Sequence, residues 1–148
     1  MTPSQIRKTL LEEHAGLRAR FERARGAIAE GRASGKAPDG LRECLEELSA
    51  ALRAHNQNEE TVLRELLRDV DAWGPARADI MDESHVEEHD ELLGALLAAN
   101  GAADPEAVAR DVVSVIDRLE EHMVREEEIL LAEDVLRDDD VVIEYFGG

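Results

Sequence analysis

The sequence predicts an all-α protein: an up-down-up-down antiparallel four-helix bundle with a short C-terminal tail. Three observations predict it. The 148 residues are rich in Ala, Leu, Glu and Arg, which favour helix, and only 3% are aromatic, so aliphatic side chains must build the core. Four long segments carry apolar residues at alternating steps of three and four, the period of helices packed in a bundle. Gly- and Pro-containing breaks separate those segments, and short connections make successive helices antiparallel.

The first helix opens on Thr2-Pro3-Ser4-Gln5, a capping box with Thr2 as N-cap, Pro3 at the first helical position and Gln5 reaching back. Its stripe is Ile6, Leu10, His14, Leu17, Phe21, Ala24 and Ile28, and Ser34-Gly35-Lys36-Ala37-Pro38 breaks it. Asp39 caps the second helix, whose stripe is Leu41, Leu45, Leu48, Leu52, His55, Glu59, Val62 and Leu66. Trp73-Gly74-Pro75 ends it. The third helix is expected from about residue 76 to about residue 99, with the stripe Met81, His85, His89, Leu92 and Leu96, before Asn100-Gly101 stops it. The fourth starts at Asp104-Pro105 and is expected to reach about residue 132. Its stripe is Val108, Val112, Val115, Leu119, His122, Glu126 and Ile129. The bundle is thus assigned to residues 1–132 and an acidic, apolar tail to 133–148. Asp138-Asp139-Asp140 reads as a solvated turn, and the apolar run 141–146 as a segment packed on the bundle.

Seventeen basic against thirty-five acidic residues give a net charge of −18. Phosphate recognition needs clustered Lys and Arg, so nucleic acid and anionic membrane surfaces are poor partners. The start lacks the apolar core of a signal peptide, and no stretch approaches about 18 apolar residues. The expectation is a soluble, cytoplasmic protein with no membrane partner. The single cysteine, Cys44, excludes an internal disulfide and reads as an inert helix residue.

All five histidines interrupt apolar stripes. His14 stands alone; His55 is followed four residues on by Glu59, His85 by His89, and His122 by Glu126. A spacing of four puts both side chains on one helix face, one turn apart. At about 1.5 Å per residue, all seven groups fall in one slab of the bundle. Buried carboxylates and imidazoles are costly unless paired or metal-bound, and the stripes offer no Lys or Arg there. A metal site removes the contradiction. Nitrogen and oxygen ligands without thiolate fit Fe, Mn, Zn or Ni. A structural zinc needs only four ligands, whereas seven with two carboxylates suit two carboxylate-bridged octahedral ions. The Glu-x-x-His spacing of ferritin-like di-iron sites is missing.

His85-Val86-Glu87-Glu88-His89 matches the inverted zinc-protease motif H-x-x-E-H. That reading leaves His14, His55 and His122 unexplained, so Glu88 is expected to be solvated. Glu127 also follows His122, at a spacing of five, which turns it about 140° away. Glu126 is therefore preferred as the ligand, with Glu127 and Glu128 expected to face solvent.

The order His, His-x-x-x-Glu, His-x-x-x-His, His-x-x-x-Glu over four successive helices resembles the hemerythrin-like family, also called the HHE cation-binding domain. The resemblance covers residues 4 to 131. Oxygen carriers of that family place an Asp five residues after the last histidine, whereas Glu126 at a spacing of four is similar to the bacterial, HHE-type variant. The resemblance implies two Fe ions. His85, His89 and His122 would hold one, and His14 and His55 the other. Glu59, Glu126 and an oxo or hydroxo group would bridge them. The second ion keeps an open position, at which the family binds O2. Leu10, Leu11, Leu52 and Leu119 are candidates for a dry O2 pocket.

No histidine is left over as an acid or base. The expected function is therefore reversible O2 binding for storage, transport or sensing, with no catalytic residues assigned. The alternatives are a di-iron enzyme acting on peroxide, nitric oxide or ferrous iron, or an iron-sensing domain. Peroxidase, catalase-like or ferroxidase activity is expected at most as a side reaction.

Overall fold

A computed structural model of the chain describes residues 2–34, 40–70, 74–80, 85–101 and 104–138. Among these the regular structure is helical throughout. Helix α1 spans Pro3–Ser34, α2 Leu41–Asn58, α3 Arg64–Val70, α4 Gly74–Ile80, α5 Val86–Asn100 and α6 Pro105–Ile129. A π-helical turn, Glu59–Leu63, joins α2 to α3 without interrupting helical backbone angles at Asn58 or Arg64. The third predicted helix corresponds to α4 and α5. Met81 and Asp39 lie outside the described residues, as does the run 141–146.

Local chemistry sets the helix starts. The Thr2 amide donates to Gln5 Oε1 at 2.8 Å and the Gln5 amide to Thr2 Oγ1 at 3.3 Å. This reciprocal pair satisfies two amides that a bare helix end leaves open. Asp104, in extended conformation ahead of Pro105, accepts from the Glu106 amide at 3.3 Å. The described N-cap of α2 is Gly40, whose φ of 77° suits a residue without Cβ.

Helix α1 packs on α2 and α6, and α5 packs on α2 and α6. Their apolar stripes meet in two clusters. The larger holds Leu17, Phe21, Leu45, Leu48, Leu52, Leu92, Leu96, Val112, Ile116 and Leu119 among others. The smaller holds Ile6, Leu10, Leu63, Leu67, Ala78, Leu130, Leu131, Val135 and Leu136. Aliphatic side chains carry both clusters, and Phe21 is the one aromatic ring in them. On α1, His14 lies between Leu10 of the small cluster and Leu17 of the large one. On α6, His122 and Glu126 stand between Leu119 and Leu130 in the same way. A polar layer therefore divides the core.

Two stripe assignments are corrected by the backbone. Val62 is 38% exposed and Leu66 only half-buried, while Leu63 and Leu67 are fully buried. The π turn takes one residue more than an α turn, so the inward face moves on by one position after Glu59. Ile129 is 49% exposed, and Leu130 and Leu131 are buried instead. Here α6 ends, and the amides of both leucines converge on the Glu126 carbonyl at 2.8 and 2.9 Å. Beyond it Val135 and Leu136 fold back into the small cluster, and Asp138 accepts hydrogen bonds from the amide and hydroxyl of Ser4.

Candidate metal centre

The fold brings all seven sequence-derived residues into that polar layer. His14 and Glu59 are fully buried; His55, His89, His122 and Glu126 are nearly so, and His85 is the most accessible at 8%. The imidazoles form two groups. His85 stacks on His122 with ring centroids 4.4 Å apart, and His89 meets both edge-on at 4.5 and 4.9 Å. His14 and His55 form the second group, 4.7 Å between centroids, with their Nε2 atoms 3.1 Å apart.

The two carboxylates stand between the groups, and each reaches both. Glu59 places Oε2 at 2.8 Å from His55 Nε2 and Oε1 at 2.6 Å from His85 Nε2. Glu126 places Oε2 at 2.7 Å from His85 Nε2 and Oε1 at 3.3 and 3.5 Å from the Nε2 atoms of His122 and His14. Two quartets have donor atoms within 4.8 Å of one another: His85, His89, His122, Glu126, and His14, His55, Glu59, Glu126. Glu126 belongs to both.

The donor set fits cations. Glu59 Oε2, His89 Nε2, His122 Nε2 and Glu126 Oε1 are buried without a hydrogen-bond partner among the described residues. Glu59 Oε2 is near His55 yet out of hydrogen-bonding alignment. Orphaned buried polar atoms are rare in folded proteins, and here four converge on one volume. Imidazole nitrogen and carboxylate oxygen are suitable donors for Fe, Mn or Zn.

The electrostatics of the metal-free layer tell the same story. Burial opposes charge on His14, yet Glu126, Glu59 and Glu127 outweigh it and raise its pKa to about 10. For His55, burial is outweighed by Glu13 and Glu59, and for His85 by Glu126 and Glu59; both rise to about 9. Glu126 is desolvated, which favours its neutral form, but the imidazoles of His122, His14 and His85 hold it well below the carboxylate range. Glu59 is also lowered, as His14 and His55 outweigh burial and Glu126. Protons thus occupy a layer whose geometry is suited to cations.

Four further glutamates surround it. The Nδ1 of His14 lies 3.2 Å from Glu127, that of His55 2.8 Å from Glu13, that of His89 3.0 Å from Glu60 and that of His122 3.2 Å from Glu88. Glu127 also accepts from Arg18 at 2.6 Å, Glu88 from Arg125, and Glu13 from Asn58 at 2.8 Å. The expectation that Glu88 and Glu127 face solvent is therefore corrected. Both are about two-thirds or more covered, with side chains 30% and 24% exposed. The turn of about 140° that takes Glu127 off the central face directs it toward α1 rather than outward. Arg18 and His14 hold Glu127 below the carboxylate range against the opposing effect of burial, and His122 and Arg125 do the same for Glu88.

The proposed pocket leucines divide. Leu52 and Leu119 belong to the large cluster and Leu10 to the small one, with Leu11 packed against the latter. A groove of about 420 Å³ between α1 and α2 reaches His55 and is lined also by Glu12, Glu13, Arg20, Ala51 and Asn58.

These features define a class: helical proteins with a buried histidine–glutamate cluster able to hold metal. A family model for the hemerythrin HHE cation-binding domain matches residues 5–133, and the chain belongs to that family. No curated protein and no solved structure matches the chain. Among the described residues no helix is long and apolar enough to cross a membrane.

Proposed function

We propose that the protein is a non-haem di-iron protein that binds O2 reversibly. In this reading the chain is an up-down-up-down four-helix bundle over residues 1–132, with α2 and α3 as its second helix and α4 and α5 as its third. His85, His89 and His122 would hold one iron and His14 and His55 the other, with Glu59 and Glu126 shared between them. The observation that carries it is the placement of Glu59 and Glu126, each with oxygens facing both imidazole groups.

A bound iron pair would supply the redox electrons and the binding of a small ligand. The chain's own residues do the rest. The imidazoles offer Nε2 to the centre, and for His14, His55, His89 and His122 an outer carboxylate stands at Nδ1. Leu52 and Leu119, and Leu10 on the other side, exclude water from the layer. Protons held on His14, His55 and His85 in the metal-free form leave when cations arrive. The protein is read as cytoplasmic, with neither nucleic acid nor membrane as partner.

One observation favours a second reading. The groove beside His55 is lined by Glu13, whose carboxyl meets His55 Nδ1 and can relay protons to the layer. A di-iron enzyme that consumes peroxide, nitric oxide or ferrous iron needs such delivery. The visible spectrum of the iron-loaded, reduced protein decides between them. A binder develops a new band in air and loses it when oxygen is withdrawn. An enzyme turns over added peroxide without accumulating that form.

A further inference from the structure

The four outer glutamates follow one rule. Glu13 precedes His14 on α1 and bonds His55 of α2. Glu60 follows Glu59 in the π turn after α2 and bonds His89 of α5. Glu88 precedes His89 on α5 and faces His122 of α6. Glu127 follows Glu126 on α6 and bonds His14 of α1. Each is the sequence neighbour of one central residue and the partner of a histidine on the next helix around. The helices pack in that same cyclic order, α1 on α2, α2 on α5, α5 on α6 and α6 on α1, so the four contacts close into a ring.

The ring has a chemical consequence. A carboxylate can only accept, so the Nδ1 of His14, His55 and His89 must be the protonated nitrogen, and a carboxylate 3.2 Å from the Nδ1 of His122 favours the same form there. The tautomer is then fixed, with the Nε2 lone pair aimed at the centre, and the ring plane is held from outside. Three of the four glutamates are themselves anchored, by Arg18, Arg125 and Asn58. The ring also divides evenly. Glu13 and Glu127 support the histidines of one quartet, and Glu60 and Glu88 support two histidines of the other.

We propose that Glu13, Glu60, Glu88 and Glu127 are positioning residues for the metal centre, two for each cation, and that each tunes the affinity of its own cation only. This rests on the two-cation reading above. Nothing in it requires these glutamates to touch metal. An outer carboxylate contact to a metal-bound histidine is worth about 10- to 100-fold in affinity.

The test is an anaerobic titration of the metal-free full chain with Co(II), followed by its visible bands, on wild type and on Glu13→Gln, Glu60→Gln, Glu88→Gln and Glu127→Gln. His14→Ala and His122→Ala mark which binding step belongs to which quartet. Glu12→Gln, an exposed carboxylate outside the ring, serves as control. The expected result is selective. E13Q and E127Q weaken the step lost in H14A by about 10- to 100-fold and leave the other, E60Q and E88Q do the reverse, and E12Q changes neither. Gln can still accept from Nδ1 but carries no charge, so the helices keep their packing, which circular dichroism checks. Four variants that bind like wild type, or that weaken both steps equally, overturn the ring. A wild-type chain that takes up fewer than two cobalt ions overturns the two-cation reading instead.

Discussion

The Nε2 atoms of His14 and His55 face each other at 3.1 Å across the α1–α2 contact. Both Nδ1 atoms bond carboxylates, so in the neutral rings both Nε2 lone pairs point at the same volume. Two lone pairs repel unless a proton or a cation lies between them. Two nitrogens bound at right angles to a cation at about 2.1 Å also stand about 3 Å apart. Removing one of them should cost one cation. His14→Ala is expected to keep the metal of the His85, His89 and His122 group and lose the other, which elemental analysis after gel filtration would measure. An unchanged metal content would mean that His14 is not a ligand.

Glu126 and Glu127 separate in the same way. Glu126 belongs to both quartets, whereas Glu127 touches only the outer edge of His14. Glu126→Ala should lose metal from both groups. Glu127→Ala should retain most of it when metal is in excess. The reverse outcome would place the ligand at the spacing of five.

The metal-free layer gives a pH signature. His14, His55 and His85 have pKa values raised to about 10, 9 and 9. A raised value contributes stability that is complete below the unfolded pKa of about 6.5 and is lost as pH rises through the folded value. The metal-free protein should therefore lose stability progressively from about pH 6.5 up to about pH 9 to 10, with no further loss from these groups beyond it. Cations displace those protons, so metal uptake at neutral pH should acidify a weakly buffered solution and should tighten as pH rises toward 9. Binding without proton release would show that these histidines are not displaced.

Metal removal should also lower the melting temperature by several degrees or more. The seven groups would otherwise lie between two apolar clusters with four of their atoms unpartnered, and metal that binds only the folded form adds its binding energy to folding. A melting curve unmoved by chelation would contradict a buried centre.

The π turn makes a prediction of its own. Leu63 is fully buried and Val62 is 38% exposed. Leu63→Ala should cost about 2–5 kcal/mol, as a leucine truncated in a packed core does. Val62→Ala should stay within about 0.5 kcal/mol. Denaturant unfolding of the two variants checks this, and equal losses would argue for an uninterrupted α-helix.

What the sequence disclosed follows from how local the physics is. A spacing of four fixes two side chains on one helix face wherever the helix lies, so His55 with Glu59 and His122 with Glu126 were legible without any fold. The capping box at Thr2 is equally local. Val62 and Leu66 were misplaced because one extra residue in a π turn leaves no mark on apolar periodicity. Ile129 was misplaced because the end of α6 depends on where Leu130 and Leu131 can bury. Glu13 and Glu60 were hidden among thirty-five acidic residues, while Glu88 and Glu127 stood out by motif and spacing but were assigned to solvent. The signal common to all four was adjacency to a central residue, and only the packing of neighbouring helices gives that adjacency a meaning.

The account's central claim is that the polar layer holds a pair of irons. Anaerobic Fe(II) titration of the metal-free chain, with iron counted after desalting, tests it most directly. The expected plateau is about two irons per chain, the number that seven ligands with two bridging carboxylates support. A plateau at one, or zinc taken up in place of iron, would contradict it.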